Sequence, residues 1–472
     1  MRTVAEALAN LQRTTDSPLL GKLGRLFQAN GFEIALVGGP VRDAFLGRET
    51  ADLDFTTNAK PDEIIGILKG NVDAIWDVGR DFGTIGARLG QVDVEITTYR
   101  TDNYDPQSRK PEVRFGTDLT EDLFRRDFTI NSMALRLPDG VFVDPFNGLQ
   151  DLLDGIIRTP GKPQDSFSDD PLRIMRAARF AAQLDFHIED ETFSAMKAMA
   201  ERIKIVSAER IQIELGKLVL GNHPRAGIEA LVESEIASYI LPEIPALKLE
   251  IDEHHHHKDV YEHTIIVLEQ AISYEKQYGL EKDVVLRLAA LMHDIGKPVT
   301  RKLQPGGGVT FYHHDVVGAK LASNRLRELR FDNDTIKDVS RLIELHLRFF
   351  GYSDSAWTDS AIRRYVRDAD ALLTRLHVLT RADVTTRNQR KAERLAHAYD
   401  DLERRIEELA EQEELDAIRP DLTGEEIMEI LGLSPGPLVG QAYRFLMELR
   451  LDEGPLGTVE AKKRLLAWWS SR

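Results

Sequence analysis

A change of texture divides this chain and constrains its fold more than any single motif. From Gly31 to about Asp151, short β-rich runs (FEIALVGG, DLDFTT, TIGARLG, DVEITTYR, GVFVDPF) alternate with helical patches such as Pro61–Leu68. From Pro171 onward a helical period takes over almost to the end, broken at the Gly/Pro stretches 221–224, 242–245, 304–308 and 434–437. Residues 1–30 also read as helical, with Val4, Leu8, Leu11, Leu19, Leu20, Leu23 and Leu26 as the apolar set. A period of two buries one face of a strand and a period near 3.6 one stripe of a helix. The expected fold class is therefore multidomain, a small α/β head of mixed sheet and helices followed by a long all-α remainder. The remainder is expected to subdivide near residue 250, where IDEHHHHKDV opens a second block of histidine chemistry. The expected blocks are 1–30 (helical segment), 31–155 (head), 156–250 (helical neck), 251–395 (histidine-bearing domain) and 396–472 (helical tail).

Composition excludes several classes. The 472 residues exceed any length at which core burial is limiting, and 42% hydrophobic with 29% charged residues is an ordinary globular balance. No apolar run approaches the ~18–20 residues of a membrane helix. The N-terminus lacks a long apolar core behind a basic start, so no signal peptide is expected. With no cysteine, any metal must sit on His, Asp or Glu. A net charge of −17 argues against indiscriminate nucleic-acid binding but leaves room for a local basic groove. A cytoplasmic protein without membrane association is expected.

The head carries a phosphate cradle and a carboxylate set. EIALV reads as a strand, Gly38-Gly39 as a turn and PVRDAFLG as a helix start. Adjacent glycines let backbone approach a phosphate, and the helix that follows offers its N–H groups; alone, such a pair marks only a turn. Asp52-Leu53-Asp54 follows in an apparent strand whose period puts both carboxylates on one face. Two acids side by side repel, and Mg²⁺ bridging them to triphosphate oxygens would relieve this; a lone DxD reads equally as an exposed edge strand. Glu95 in VDVEITTYR adds a third acid, and three acids from two strands suit two-metal nucleotidyl transfer. In RRDFTIN, guanidinium groups suit a triphosphate, although paired arginines before an acid also read as a salt-bridged turn.

GGPVRDAFLGRETADLDFTT, DVEITTYRTDNYD and DLFRRDFTINSMAL together resemble the head of the class II tRNA nucleotidyltransferases, the CCA-adding enzymes and bacterial poly(A) polymerases of the polymerase-beta-like superfamily. The likeness covers roughly residues 31–225. It implies Gly38 and Gly39 at the nucleotide phosphates, Asp52 and Asp54 as metal ligands and Glu95 completing the catalytic set. It places Arg126, Asp127 and Asn131 around the incoming nucleotide, with Arg42, Arg176 and Arg179 in the same binding set. TDNYDPQSRKPEVRFGTDL, with Arg109, Lys110 and Arg114, has little apolar periodicity and reads as a long mobile loop. In the family it corresponds to the loop associated with adding the terminal A, and its full length implies an enzyme able to incorporate A.

SFSDDPLRIMRAARFAAQL places Asp170 and Arg173 three apart on one helix face. C and A each present an amino donor beside a ring acceptor, whereas U and G present the reverse. A carboxylate beside a guanidinium therefore matches C and A. Asp170 before Pro171 also reads as a helix cap, and one oxygen can cap while the other reads a base. The family pattern is usually Glu-Asp-x-x-Arg, and Asp169 stands in place of that Glu. SAERIQIELGKLVLG resembles the family's neck helices and reads as packing.

The helical remainder holds a second constellation: His263, His293-Asp294, His313-His314, His346 and Asp383. A lone helical His is usually packed or solvated. Consecutive helical side chains diverge by ~100°, so joint ligation by His293 and Asp294 needs an irregular turn, which Ile-Gly-Lys-Pro allows. The ordered set resembles the HD phosphohydrolase superfamily, whose four ligand positions match His263, His293, Asp294 and Asp383, with His314 and His346 where metal-rich versions carry extra ligands. A divalent ion such as Mg²⁺, Mn²⁺ or Ni²⁺ is implied, with phosphodiesterase or phosphatase activity on 2′,3′-cyclic or 2′-phosphates. The run His254–His257 reads as a linker feature. Arg363, Arg364, Arg367, Arg375, Arg381, Arg387, Arg390 and Lys391 could line an RNA path or form paired helix surface. The segment from about residue 400 reads as helix packing or an oligomer contact.

The expectation is a Mg²⁺-dependent nucleotidyltransferase that adds C, C and A to tRNA from CTP and ATP, fused to an HD domain and able to form a homodimer. A poly(A) polymerase, a phosphohydrolase with a nucleotide-sensing head, and a non-catalytic RNA-binding protein are the rivals.

Overall fold

The computed structural model describes residues 10–11, 17–48, 53–103, 112–249, 260–305, 309–349, 352, 357–386, 388–413 and 419–471. Asp52, Arg109, Lys110, His254–His257 and Arg387 lie outside them. The chain forms two compact units, residues 1–242 and 243–472.

The first unit opens with α1 (Pro18–Ala29), which starts on a proline at its first position and buries Leu20, Leu23 and Phe27. A seven-stranded sheet follows: β1 (Ile34–Val37), β2 (Leu53–Thr57), β3 (Ala74–Trp76), β4 (Thr84–Leu89), β5 (Val92–Thr98), β8 (Ala134–Leu137) and β9 (Val141–Val143), in the order β3-β4-β5-β2-β1-β8-β9. Strand β1 is interior, with β2 and β8 pairing on either side, and all four of its residues are buried. That position explains why IALV reads as a continuous apolar run rather than an alternation. Every pairing in the sheet is antiparallel except β2 with β5.

Two short helices lie between the first strands in the chain. Helix α2 (Gly39–Phe45) starts at the glycine turn after β1, and α3 (Pro61–Leu68) packs against β4 and β5. The expected long loop differs from the structure, because its two ends pair as an antiparallel hairpin, β6 (Arg100–Asn103) with β7 (Glu112–Phe115). The ladder is made by backbone groups, and four-residue strands are too short for a side-chain period to reveal it. Helix α4 (Leu119–Phe124) is capped by Asp118, whose carboxylate accepts the N–H groups of Thr120 and Glu121. Its Leu119 and Leu123 join Ala35, Val37, Tyr99 and Ala134 in one buried cluster, which fixes α4 against the sheet. Among the helices that follow are α5 (Pro163–Asp169), α6 (Leu172–Leu184), α7 (Ala208–Val219) and α8 (Pro224–Glu233), with α6 packed on α7 and α8.

In the second unit, α9 (Val260–Glu275), α10 (Val284–Met292), α11 (His314–Glu328), α12 (Asn333–Leu345), α13 (Asp359–Ala369) and α14 (Leu373–Ala382) pack into a bundle, followed by the long α15 (Gln389–Glu413). Arg287 of α10 and Glu275 of α9 form a buried two-pronged pair at 2.6 and 2.7 Å. Asp283, whose backbone N–H also reaches Glu275, pairs in turn with Arg375 of α14. His263 lies on α9, while His293 and Asp294 follow the end of α10 and Asp383 that of α14. The last helices (Gly424–Leu431, Pro437–Glu453, Gly457–Ser470) share a small core of Leu422, Ile427, Ala442, Leu446, Ala461 and Leu465.

Candidate active site and metal centre

The head site grows from one register. Parallel pairing of β2 with β5 sets Asp54 level with Glu95, and both side chains are exposed. Aligned residues of neighbouring strands share a face, so the two acids stand side by side at the sheet surface. The turn after β1 places Gly38 at φ +73°, where a Cβ would lie 3.1 Å from Arg126 Nη1. Only glycine adopts that conformation without strain, and the bare backbone lets the guanidinium sit over the turn. The buried Nε of Arg126 has no hydrogen-bond partner. A buried donor without a partner costs free energy until a ligand satisfies it.

The other predicted nucleotide contacts form one network. Arg42 Nη1 donates to Asn131 Oδ1 at 2.7 Å, and Asn131 Nδ2 donates to Asp127 Oδ1 at 2.9 Å. Asp127 Oδ2 accepts from Arg176 Nε at 2.7 Å. Burial alone would raise the Asp127 carboxyl, but the Arg176 charge and the Asn131 hydrogen bond outweigh it and hold the group far below its ordinary value. Arg179 turns to Glu214 of α7 at 2.5 Å and lies over the Phe180 ring, 3.9 Å from its centroid.

Asp170 and Arg173 keep their helical neighbourhood, yet their polar atoms face different partners. Asp170 Oδ1 accepts the Leu172 N–H at 3.1 Å, the cap role, while Oδ2 pairs with Arg210 at 2.8 Å. The Arg173 guanidinium is buried and donates to Ser166 Oγ at 2.7 Å and to the Arg125 carbonyl. Arg125 and Arg126 are both salt-bridged, and to the same buried acid, Asp122. Asp122, Arg210 and Glu214 were not singled out in the sequence. The spacing of Asp122, three and four residues before the arginines, was the available signal.

In the second unit, six side chains converge. His263, His293 and Asp383 bring ligand atoms within 4.8 Å of one another, as do Asp294, His314 and His346. The two triads meet where His293 Nε2 lies 3.3 Å from Asp294 Oδ2. Helix α10 ends at Met292, and His293 through Gly296 form a turn before a short helix at Lys297–Thr300, so the consecutive His and Asp both reach inward. A Cβ on Gly296 would lie 2.1 Å from the His314 carbonyl, so glycine here lets α11 bring its first residue close.

The histidines are oriented alike. Nδ1 of His293, His314 and His346 donates to the carbonyls of Ala290, Phe311 and Ile343, and Nδ1 of His263 meets the Thr385 hydroxyl at 2.9 Å. A carbonyl can only accept, so Nδ1 carries the hydrogen and Nε2 is presented inward, the arrangement typical of metal-ligating histidines. The buried Nε2 of His346 has no hydrogen-bond partner. Burial pushes His293 down, but Asp294 and Asp383 outweigh it and raise the ring to about 10. His346 is pushed down to about 4 by burial and the neighbouring His293 cation. Burial likewise pushes Asp294 and Asp383 up, but His293 with Lys297 outweighs it at Asp294 and His263 with His293 outweighs it at Asp383, so both stay well below the ordinary range. Once His293 gives up its proton, this set of imidazoles and ionised carboxylates fits a divalent ion.

Three family descriptions match the chain: Poly A polymerase head domain over residues 34–158, Probable RNA and SrmB-binding site of polymerase A over 185–247, and HD domain over 260–388. The A-adding tRNA nucleotidyltransferase of Deinococcus radiodurans is 32% identical over 449 residues, covering 92% of this chain and 95% of that protein. This chain belongs to the tRNA nucleotidyltransferase family. The CCA-adding enzyme of Lactococcus lactis subsp. cremoris is 44% identical over 236 residues, so against it the chain spans 56% of that protein's length. Among solved structures, the Bacillus stearothermophilus CCA-adding enzyme in complex with CTP shares the fold at TM-score 0.68 and 23% identity, over 97% of this chain and 99% of that one. The Thermotoga maritima CCA-adding enzyme complexed with tRNA does so at 0.62 and 20%, over 99% of each.

Five arginines of the local basic run are engaged within the second unit. Arg364 pairs with Glu448 and Asp452, Arg367 with Asp368, Arg375 with Asp283, and Arg381 with Asp400 and Glu403, while Arg363 donates to the Leu451 carbonyl. Among the described residues no helix is long and apolar enough to cross a membrane.

Proposed function

We propose that this protein is a cytoplasmic CCA-adding enzyme, extending tRNA 3′ ends from CTP and ATP with release of pyrophosphate. The observation that carries the reading is the β2–β5 register that sets Asp54 beside Glu95, next to a glycine turn roofed by Arg126. With Glu95 completing the carboxylate set, Asp52 and Asp54 would hold Mg²⁺, which when bound supplies charge neutralisation at the reacting phosphate and a more nucleophilic tRNA hydroxyl. Gly38 and Gly39 admit the phosphates, Arg126 takes their charge, and the Arg42–Asn131–Asp127–Arg176 network holds the sugar and base side of the nucleotide. Asp170 and Arg173 select C and A once Arg210 releases the second oxygen of Asp170.

The test is incorporation on tRNA lacking its CCA end, with each nucleotide singly and together and Asp54→Ala as control. Addition of C, C and A followed by a stop, lost in the variant, supports the reading. The full-length likeness to an A-adding enzyme favours a second reading, in which only tRNA already ending in CC is extended, by one A. Unbounded A addition identifies a poly(A) polymerase.

The six-residue centre would hold Mg²⁺, Mn²⁺ or Ni²⁺ and hydrolyse 2′,3′-cyclic or 2′-phosphates. Metal-dependent release of phosphate from such substrates, abolished by His314→Ala, tests that activity. Exposed Leu438, Tyr443 and Val459 in the last helices offer surface for a homodimer, which sedimentation velocity resolves.

A further inference from the structure

Asp122 is fully buried, which carboxylates tolerate only when paired. It lies one helical turn before the arginine pair, and its oxygens receive donors from three directions. Oδ1 accepts from Arg125 Nη2 at 2.7 Å and from the Arg100 backbone N–H at 3.2 Å. Oδ2 lies 3.2 Å from Arg126 Nη2 and 3.1 Å from Thr56 Oγ1. Burial pushes this carboxyl up, and the Arg126 and Arg125 charges outweigh it, so it stays an anion.

The partners are not scattered. Thr56 and Asp54 are two apart on β2 and therefore share a face. The Thr56 hydroxyl also lies 3.2 Å from the Thr97 carbonyl of β5, two residues beyond Glu95. Arg100 opens the β6–β7 hairpin. One buried charge thus joins the two acid-bearing strands, the hairpin base and the guanidinium above the glycine turn. Because Asp122 engages Nη2 of Arg126, Nη1 remains over Gly38 and Nε remains without a partner. A long arginine side chain has much rotamer freedom to lose, and this anchor restricts it before any ligand arrives.

Resting on the nucleotidyltransferase reading above, we infer that Asp122 is a positioning residue that aims Arg126 at the β- and γ-phosphates of the incoming nucleotide and ties that aim to the strand carrying Asp54.

Asp122→Asn keeps the shape and removes the charge. Equilibrium binding of CTP and of CMP to the full chain in Mg²⁺ separates the roles, since only CTP carries the outer phosphates. The CTP-over-CMP affinity ratio falls about tenfold, as loss of a charge-assisted contact implies, while CMP affinity stays unchanged. In turnover, the KM for CTP rises and that for tRNA does not. On an Arg126→Ala background the substitution adds no further loss, because both act through one group. A merely structural role weakens CTP and CMP alike. Thr56→Val, which frees the carboxylate from β2 but keeps both ion pairs, lowers the ratio about threefold, within the range of one neutral hydrogen bond. It carries the test if Asp122→Asn does not fold. A wild-type ratio in the folded variant, or full additivity with Arg126→Ala, overturns the inference and leaves the nucleotidyltransferase reading standing. A wild-type protein that binds CTP no more tightly than CMP overturns both.

Discussion

Loading the histidine centre with a divalent ion must expel the proton that His293 holds. In the metal-free protein, Asp294 and Asp383 raise this ring to about 10 against the opposing effect of burial. Near pH 7 that lies about three units above the ambient value, so proton competition weakens metal association by about a thousandfold, or about 4 kcal/mol. The neighbouring His346, pushed down to about 4, is already neutral and has no proton to give. Calorimetric titration of the chelator-treated protein with Mn²⁺, repeated in buffers of different ionisation enthalpy, should therefore report about one proton released per centre filled. Affinity should climb toward tenfold per pH unit between about pH 7 and pH 9. The sign for folding is the reverse. A raised histidine contributes stability that is full below its ordinary value near 6.5 and is lost as pH rises through about 10. Binding heats independent of buffer, together with an affinity flat in pH, would refute the reasoning, because they would mean that His293 is already neutral.

Four further outcomes are expected. Glu275→Gln should destabilise the second unit by about 3–5 kcal/mol in urea titration, since Arg287 would be left buried and uncompensated. Gly38→Ala forces a left-handed φ of +73° on alanine and crowds Arg126, so the nucleotide KM should rise at least fivefold on about 1–2 kcal/mol of strain. Asp127, held below its ordinary carboxyl value, contributes stability above about pH 4 that is lost as pH falls through its lower folded value, so Asp127→Asn should flatten the acid limb of thermal unfolding. His314→Ala should lower the metal-to-protein ratio measured after gel filtration while leaving nucleotide incorporation by the head intact.

The sequence by itself was informative wherever a periodicity or a fixed spacing carried the signal. Short β-rich runs marked β1, β2, β4 and β5, and a run of helical period located Pro61–Leu68 to the residue. HDIGKP allowed an irregular turn at His293-Asp294, and the structure ends α10 at Met292. What sequence could not decide was which side chain each charge would meet. Asp170 and Arg173 share a helix face by spacing, yet one reaches Arg210 and the other Ser166, because α5 and α7 arrive from elsewhere in the chain. The paired arginines supported two readings, phosphate ligand or salt-bridged turn, and Asp122 shows how one side chain can serve both: Nη2 is bonded while Nε stays without a partner. Spacing gives direction only along one element. The register that sets Asp54 beside Glu95, and the convergence of helices that brings six ligands into one centre, depend on contacts between segments tens of residues apart. Tertiary packing alone supplies these.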